Sequence, residues 1–526
     1  VQALTALDES GLELNWANFN DIMEATEFHL PMGGSINFAN GDRLAVTSLA
    51  LNTISLEPGE SGYYELQLVS PIMSLDDVLA ACIPTEERIM DYTSKIISLE
   101  KALSLVKSGD IVVTGLGASE AGLFMENIHT LAGSVKGVKI VNCNPTHSCE
   151  FYKPEYADTF SVDGWFYAPA MRRAHEQGNM AFIPNHLHLA ATKWLYRNKP
   201  NIYVGAASMP DKNGYISLST SNTYERRMME AADITILEIN PNYPFVYGDH
   251  VVHCSEVDYL VEAGYPVPIV PDAPSNEKDM SIGRLIAGYV PDGACIQLGI
   301  GGIPNAVAEF LKEKNDLGVH TELITSGMAE LVKMGVITNK RKQINRGQMV
   351  ATMILGTQEL YDFVDHNQGV ALYDGAWVND PYVIAQNDNQ ISINTSLEVD
   401  LTGQCASESI GSRQFSGTGG QSDTAVGAQM SKGGRSIIAL YSTAMVKDKA
   451  TGERHEVSKI VAQLQRGAAV SLSRNDVDIV ITEYGAADLR GTNIRQRVEA
   501  LINIAHPKFR DELWDQALVC GIIGKR

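Results

Sequence analysis

The chain has 526 residues, 44% of them hydrophobic and 20% charged, with a net charge of −22. This composition describes a globular protein of two or three domains with a large core. The acidic balance excludes nucleic acid and anionic membrane as general partners. A phosphorylated small molecule stays open, since helix N-termini and a few basic residues can bind one.

No apolar run approaches the roughly 18 residues of a spanning helix. Val1 to Asp8 has neither the basic nor the apolar region of a secretion signal, and the first residue is not Met, so a removed leader stays open. Seven scattered cysteines form no CxxC pair, which argues against a disulfide framework or zinc knuckle and for a reducing, cytoplasmic setting.

In chain order, residues 1–85 read as a small β-containing extension: Arg43 to Leu56 alternates weakly, Gly59 and Gly62 mark a turn, and Tyr63 to Val69 is strand-like again. From Ile96 the pattern is α/β. A helix over Leu99 to Val106 precedes Gly109-Asp110 and a strand Ile111 to Thr114, which runs into Gly115-Leu116-Gly117. A helix over Glu120 to Leu131 and a strand Val138 to Asn142 follow. The same order returns about 184 residues later: helix Ile282 to Tyr289, strand Ala294 to Leu298, Gly299-Ile300-Gly301-Gly302, helix Pro304 to Lys314, and a strand delivering Glu322. Glycines at 109, 115 and 117 match those at 293, 299 and 301 in spacing, which indicates a duplication of whole domains. The expected domains are 90–270 and 275–526, joined by a linker over Val267 to Ser281. Further strands are predicted at Ser436 to Leu440, Ala468 to Leu472 and Asp478 to Thr482. This alternation implies mainly parallel sheets covered on both faces. The active site then lies outside the carboxyl ends of strands, in the cleft between domains.

Glu322 is the first candidate residue. On position alone it is a solvated glutamate, but the Gly-rich turn before it offers backbone N–H groups to an anion or oxyanion, beside which a carboxylate can attack a thioester. The second Gly-rich loop, Phe415-Ser-Gly-Thr-Gly-Gly-Gln-Ser-Asp423, suggests close backbone approach, although a run of this kind is more often a structural loop. Glu483 falls at a strand end, where ligands bind, while Asp488 and Arg490 read as a helix-start acid and a salt-bridge partner. His186 with His188, and His250 with His253, lack metal-ligand spacing and read as satisfied structural histidines. Cys143, near His147 and Cys149, reads as a buried apolar cysteine rather than a nucleophile. The Gly299 turn lacks the third glycine of a dinucleotide fingerprint, and that reading is rejected although Glu322 lies where a ribose-binding acid would fall.

Together these segments resemble the acetyl-CoA hydrolase/transferase family. The carrying motifs are Gln297-Leu-Gly-Ile-Gly-Gly-Ile-Pro-Asn-Ala-Val307, Gly318-Val-His-Thr-Glu322, Val378 to Asn389, Leu397 to Gly403, Phe415-Ser-Gly-Thr-Gly-Gly420, Thr482-Glu-Tyr-Gly485 and Ala487-Asp-Leu-Arg-Gly491, with Gly248-Asp249, His253 and Ala505-His-Pro507. The match runs from about residue 90 to about 515.

The resemblance implies a duplicated CoA-transferase fold in which Glu322 is the nucleophile, forming a mixed anhydride and then a glutamyl-CoA thioester. Backbone amides near Ile300 and Gly420 would be the oxyanion donors. Gln297, Gly299, Ile300, Gly301, Gly302, Gly417, Gly419 and Gly420 would meet CoA, and Asn379 and Glu483 match further active-site positions. It implies acyl-CoA as co-substrate with a short carboxylate such as acetate, no tightly bound cofactor or metal, and a homo-oligomer. Acyl-CoA hydrolysis through the same glutamate is the alternative. A related lyase subunit and a non-catalytic sensor domain fit less well, the sensor because it needs no nucleophile. Three departures bear on substrate identity: Ser422-Asp423-Thr424 replaces Val-Asp-Phe, the loop Gly115 to Ala121 differs from the commoner small-residue version, and residues 1–85 are additional.

Overall fold

The computed structural model describes residues 92–448 and 451–524, with the strands Ser35–Asn37 and Arg43–Ala45. The chain divides into two units, Val1–Ile89 and Met90–Arg526. In the first, Ser35–Asn37 pairs antiparallel with Arg43–Ala45. The rest of the predicted extension, including Tyr63 to Val69, lies outside the described residues.

The second unit holds two main sheets. The first contains β1 (Ile111–Thr114), β2 (Val138–Asn142), β3 (Phe160–Gly164), β4 (Met180–Phe182), β5 (Ile202–Ala207), β6 (Ile234–Ile239) and β7 (Tyr259–Glu262) in the order β7-β6-β5-β1-β2-β3-β4, all pairs parallel. All six residues of β5 are buried, as a strand covered on both faces requires. The second contains β8 (Cys295–Gln297), β9 (Gly318–Val319), β10 (Gln390–Thr395), β11 (Arg435–Ala439), β12 (Ile479–Thr482) and β13 (Gly485–Asp488) in the order β9-β8-β10-β11-β12-β13, parallel except for the β12–β13 pair. In both sheets the strand before the Gly-x-Gly turn pairs with the next one in sequence on one side and with a later one on the other. The duplicated, mainly parallel α/β architecture is therefore present.

Helix α1 (Glu277–Ala287) opens on a reciprocal cap: Asn276 accepts from Lys278 and Asp279, and Asp279 accepts from the Asn276 N–H. It packs on α2 (Gly302–Leu311) so closely that a Cβ on Gly283 would lie 2.8 Å from the Ala306 carbonyl carbon. The segment read as a linker is in part this helix, since α1 begins at Glu277 rather than beyond Ser281. A third helix, α3 (Gln421–Met430), follows the second Gly-rich loop.

The halves are sewn together. Tyr247–Gly248 pairs in parallel with Val370–Leu372, and that strand pairs with Met349–Ala351. The Asn222 N–H donates to the Thr352 carbonyl at 2.7 Å, and the Ile354 N–H donates to that of Thr220 at 2.8 Å.

Two local expectations fail. Ala468 to Leu472 is not a strand; only an isolated bridge from Leu472 to Cys405 forms, while the Ala469 N–H donates to the Ser409 hydroxyl and the Ser471 hydroxyl accepts from the Ser407 N–H, side-chain bonds in place of a ladder. Asp488 ends β13 rather than starting a helix, the next helix beginning at Ile494. Arg490 is the salt-bridge partner expected, and its acid is Asp478, with a buried side chain: Nη2 lies 2.6 Å from Oδ2 and Nε 2.9 Å from Oδ1, with Arg435 Nη1 at 3.3 Å. Arg490→Met therefore leaves a buried carboxylate half-paired and should cost about 2–4 kcal/mol in urea unfolding. Asp488→Asn, at the exposed end of the network, should cost less than about 1 kcal/mol.

Candidate active site

A cavity of about 270 Å³ lies between the halves. Leu116, Trp165, Phe166 and Leu187 form its first-half wall. Gln297, Leu298, Gly299, Ile300, Glu322, Asn394 and Gly419 come from the second half.

Glu322 does not lie within a strand, as the sequence suggested. It sits between β9 and the short strand Leu323–Ile324, which pairs outside the main sheet with Met353–Ile354. Its carbonyl accepts the N–H groups of Thr352 and Met353, both at 3.0 Å, and the same segment is bonded to the first half. The backbone of Glu322 is thereby fixed to both halves.

Its side chain faces the cavity and is otherwise surrounded by protein. The Gly420 N–H and the Asn379 amide donate to it, the latter to Oε2 at 3.4 Å. Burial and the neighbouring Asp423 charge push its carboxyl up to about 7, against those two hydrogen bonds, which lower it. An acid with this value is partly ionised near neutrality.

The glycines serve different ends. A Cβ on Gly420 would lie 2.1 Å from both Glu322 Oε2 and Asn379 Nδ2, so any side chain there displaces the carboxylate or its donor. On Gly417 it would meet the Trp165 carbonyl oxygen at 2.4 Å, and on Gly302 it would meet Asp279 Oδ2 at 2.5 Å. Both residues are therefore required by packing. Gly299 and Gly301 have open space beside them; Gly301 has φ +118°, and the adjoining Ile300 is 48% exposed on the cavity rim. Glu483 stands apart from the cavity lining. Burial raises its carboxyl, but the Ser442 N–H and hydroxyl and Lys278 (3.1 Å) outweigh this and leave it lowered.

The departures at Ser422 and Thr424 have partners. The Ser422 hydroxyl donates to the Ser471 carbonyl, and Thr424 Oγ1 joins Ser392 Oγ (3.0 Å) and Asn394 Nδ2 (3.1 Å) in a buried polar network that includes Gln297. The loop Gly115 to Ala121 puts Leu116 in the apolar wall. Cys143 is buried beside the cavity with its thiol pushed well up by burial, which makes it a poor nucleophile. His250 is buried, held near Ser217 and Ser219, and pushed down to about 4 by that burial. Among the described residues no cluster of three His, Cys, Asp or Glu side chains gathers in metal-binding geometry. A more open groove of about 720 Å³ near Asp211, Asp362 and Asp365 brings no nucleophile together with donors.

Sequence reasoning reached Leu116 through its loop but missed the rest of the first-half wall. Trp165 and Phe166 follow β3 and carry no motif, so no signal could have found them. Asp423 carries no local signal of a role, and His188, which lacks metal-ligand spacing, meets Asp423 instead.

Family models match in two places, the acetyl-CoA hydrolase/transferase N-terminal domain over residues 83–271 and the C-terminal domain over residues 356–517. The 4-hydroxybutyrate coenzyme A transferase of Clostridium kluyveri is 40% identical over 426 residues, covering 81% of this chain and 97% of that one. The chain belongs to the acetyl-CoA hydrolase/transferase family. The butyryl-CoA:acetate CoA-transferase of Anaerostipes caccae is 35% identical over 443 residues, covering 80% and 96%. The crystal structure of RipA from Yersinia pestis superposes with a TM-score of 0.76 at 34% identity, covering 82% of this chain and 99% of that one. Relatives named acetyl-CoA hydrolase match more distantly. Both Glu322 and the Gly299 turn fall between the two matched domains.

Gly420→Ala, whose methyl group would displace the Glu322 carboxylate or the Asn379 amide, is expected to lower the rate of CoA transfer by about 10²–10³-fold, the loss usual when an aligned donor no longer meets its acceptor. Steady-state kinetics on the purified variant, with its melting temperature as a folding control, measures this.

Proposed function

We propose that this enzyme moves CoA from a short-chain acyl-CoA to a small carboxylate through a covalent thioester on Glu322. The observation that carries the reading is a carboxylate facing an interdomain cavity while holding hydrogen bonds from Gly420 and Asn379.

The chemistry follows from that arrangement. A Glu322 oxygen attacks the acyl carbonyl carbon, the C–S bond breaks, and the CoA thiolate leaves a mixed anhydride. The thiolate then attacks the Glu322 carbonyl carbon, the C–O bond breaks, and the first carboxylate departs from a glutamyl-CoA thioester. An acceptor carboxylate attacks that thioester and the two steps run in reverse, regenerating Glu322 with no net proton uptake. Glu322 is thus both attacker and target. Its own carbonyl oxygen needs donors when it becomes tetrahedral, and the Gly420 N–H and Asn379 amide already lie on it. The backbone N–H of Ile300, on the rim beside the open Gly299 and Gly301, would serve the substrate carbonyl. CoA is a co-substrate, and every bond made or broken joins Glu322, an acyl group or CoA, so the cycle needs no tightly bound cofactor.

The cavity is smaller than the roughly 300–1,000 Å³ of drug-sized pockets, which suits a short acyl group. Its wall of Leu116, Trp165, Phe166 and Leu187 favours an alkyl chain. Water exclusion by that wall favours transfer over hydrolysis. Cytoplasmic location belongs to this reading on the scattered cysteines, and a homo-oligomer on the resemblance alone.

Incubation with butyryl-CoA or acetyl-CoA followed by borohydride tests it. Mass spectrometry should find the Glu322 peptide alone reduced to the alcohol, and an unmodified peptide with several acyl-CoAs would sink the covalent mechanism. In the pH profile, the rate of thioester formation should rise through about 7, where Glu322 ionises, and level off above it.

A further inference from the structure

Gly420 can serve Glu322 only if the loop carrying it stays in place, and that loop is held from the other half of the molecule. The Leu187 N–H donates to the Gly419 carbonyl at 3.1 Å. The next residue makes two bonds to a single carboxylate: the His188 N–H donates to Asp423 Oδ2 at 3.1 Å, and Nδ1 lies 2.8 Å from Oδ1. His186 Nδ1 stands 3.8 Å from the same oxygen, with its ring stacked on that of His188. Farther along, Arg172 donates to the Phe415 carbonyl at 2.7 Å and covers the Phe415 ring. One short first-half segment, 186–188, thus grips the loop at the residue before Gly420 and at the third residue after it.

Asp423 is an unusual anchor. Its side chain is 2% exposed and it lies in the first turn of α3, yet it caps none of that helix's own N–H groups. It faces the other half instead. Its charge is also felt by Glu322. A second carboxylate near the nucleophile opposes ionisation of Glu322 unless it is itself paired, and a buried carboxylate left unpaired is strongly destabilising. His188 meets both requirements in one contact.

We infer that His188 and Asp423 form a clamp across the two halves that positions the Gly420 N–H on Glu322, so that both are positioning residues of the reaction. This inference rests on Glu322 being the nucleophile. Of these three consecutive residues, Ser422 and Thr424 bond within their own half, and only Asp423 reaches across.

The test is single-turnover formation of the Glu322 thioester with butyryl-CoA, on the full chain, with the steady-state KM for butyryl-CoA measured alongside. His188→Ala should slow thioester formation by about tenfold to a hundredfold, the range expected when a reacting group is misplaced by an ångström or less, with KM changed less than about threefold. His188→Asn, whose amide nitrogen stands near the place of Nδ1, should recover most of that loss, a rescue that a merely structural histidine does not predict. Asp423→Asn keeps the shape but turns one acceptor into a donor facing a donor. It should also slow the step, and it serves where His188→Ala fails to fold. Wild-type rates in a folded His188→Ala or Asp423→Asn protein would overturn the clamp, as would a loss carried by KM alone or one that His188→Asn does not recover. Failure of the wild-type protein to form the thioester would instead overturn the role of Glu322, so the two failures are told apart.

Discussion

Gly420 approaches the Glu322 carboxylate so closely that a single methyl group would lie 2.1 Å from Oε2. Most of the site is arranged to make that approach possible. The loop before Gly420 carries no side chain at Gly417 because the Trp165 carbonyl lies against it, and none at Gly419, where φ is +56°. Asn379 occupies the remaining side of the carboxylate, itself 1% exposed. Glu322 is held at its backbone by Thr352 and Met353, which belong to a segment bonded to the first half. Glu322 and the groups that bond it therefore come from separate elements, and the segments carrying Glu322 and Gly420 are each bonded to the first half. In the proposed mechanism, preorganisation of this kind is what would let a weakly nucleophilic carboxylate act on a thioester, because the donors need no rearrangement as charge develops.

The electrostatics of Glu322 balance two requirements. Burial and Asp423 raise its carboxyl, and the hydrogen bonds from Gly420 and Asn379 restrain the rise, leaving it at about 7. A fully solvated carboxylate would ionise easily but attack poorly, and one raised much further would be protonated at neutral pH. The arrangement also has a cost in stability with a definite sign. A carboxyl raised in the folded state favours folding below its unfolded value, and that contribution is lost as pH rises from the ordinary value of 4.5 toward about 7. Glu322 is thus least favourable to folding in the pH range where it is ionised, a property common among functional residues.

Much of the architecture was legible in the sequence for identifiable reasons. Strands such as Ile111–Thr114 and Val138–Asn142 are short apolar runs bounded by glycine or polar residues, and both were placed correctly to the residue. The repeated glycine spacing exposed the duplication because such turns follow buried strands in both halves. Where local pattern and pairing part company, the reading failed: Ala468 to Leu472 has strand-like composition but finds only one bridging partner. The candidate residues of the second half were legible through their motifs. Trp165, Phe166 and Leu187 were not, because an apolar residue at a strand end looks the same whether it fills a core or lines a cavity. His188 was visible as one of a pair, but its partner lies 235 positions away, and no local spacing encodes that distance.

The two Gly-x-Gly turns also differ in what surrounds them. In the first half, a Cβ on Gly115 would lie 2.2 Å from the Ser119 carbonyl oxygen, so the Gly-x-Gly turn is folded onto itself. The donors at the start of the following helix are taken by an internal carboxylate: Glu238 accepts the Leu123 and Phe124 N–H groups and the Tyr265 hydroxyl. Glu120 likewise accepts the Thr146 and His147 N–H groups. These groups are satisfied from within and offer nothing to an external anion. In the second half, Gly299 and Gly301 keep open space beside them. The first-half turn is thus closed by its own carboxylates, and the second-half turn is left open. The closed copy places Leu116 on the cavity, where its side chain becomes part of the apolar wall facing Glu322. Closure of the first turn and openness of the second are therefore complementary halves of the same site.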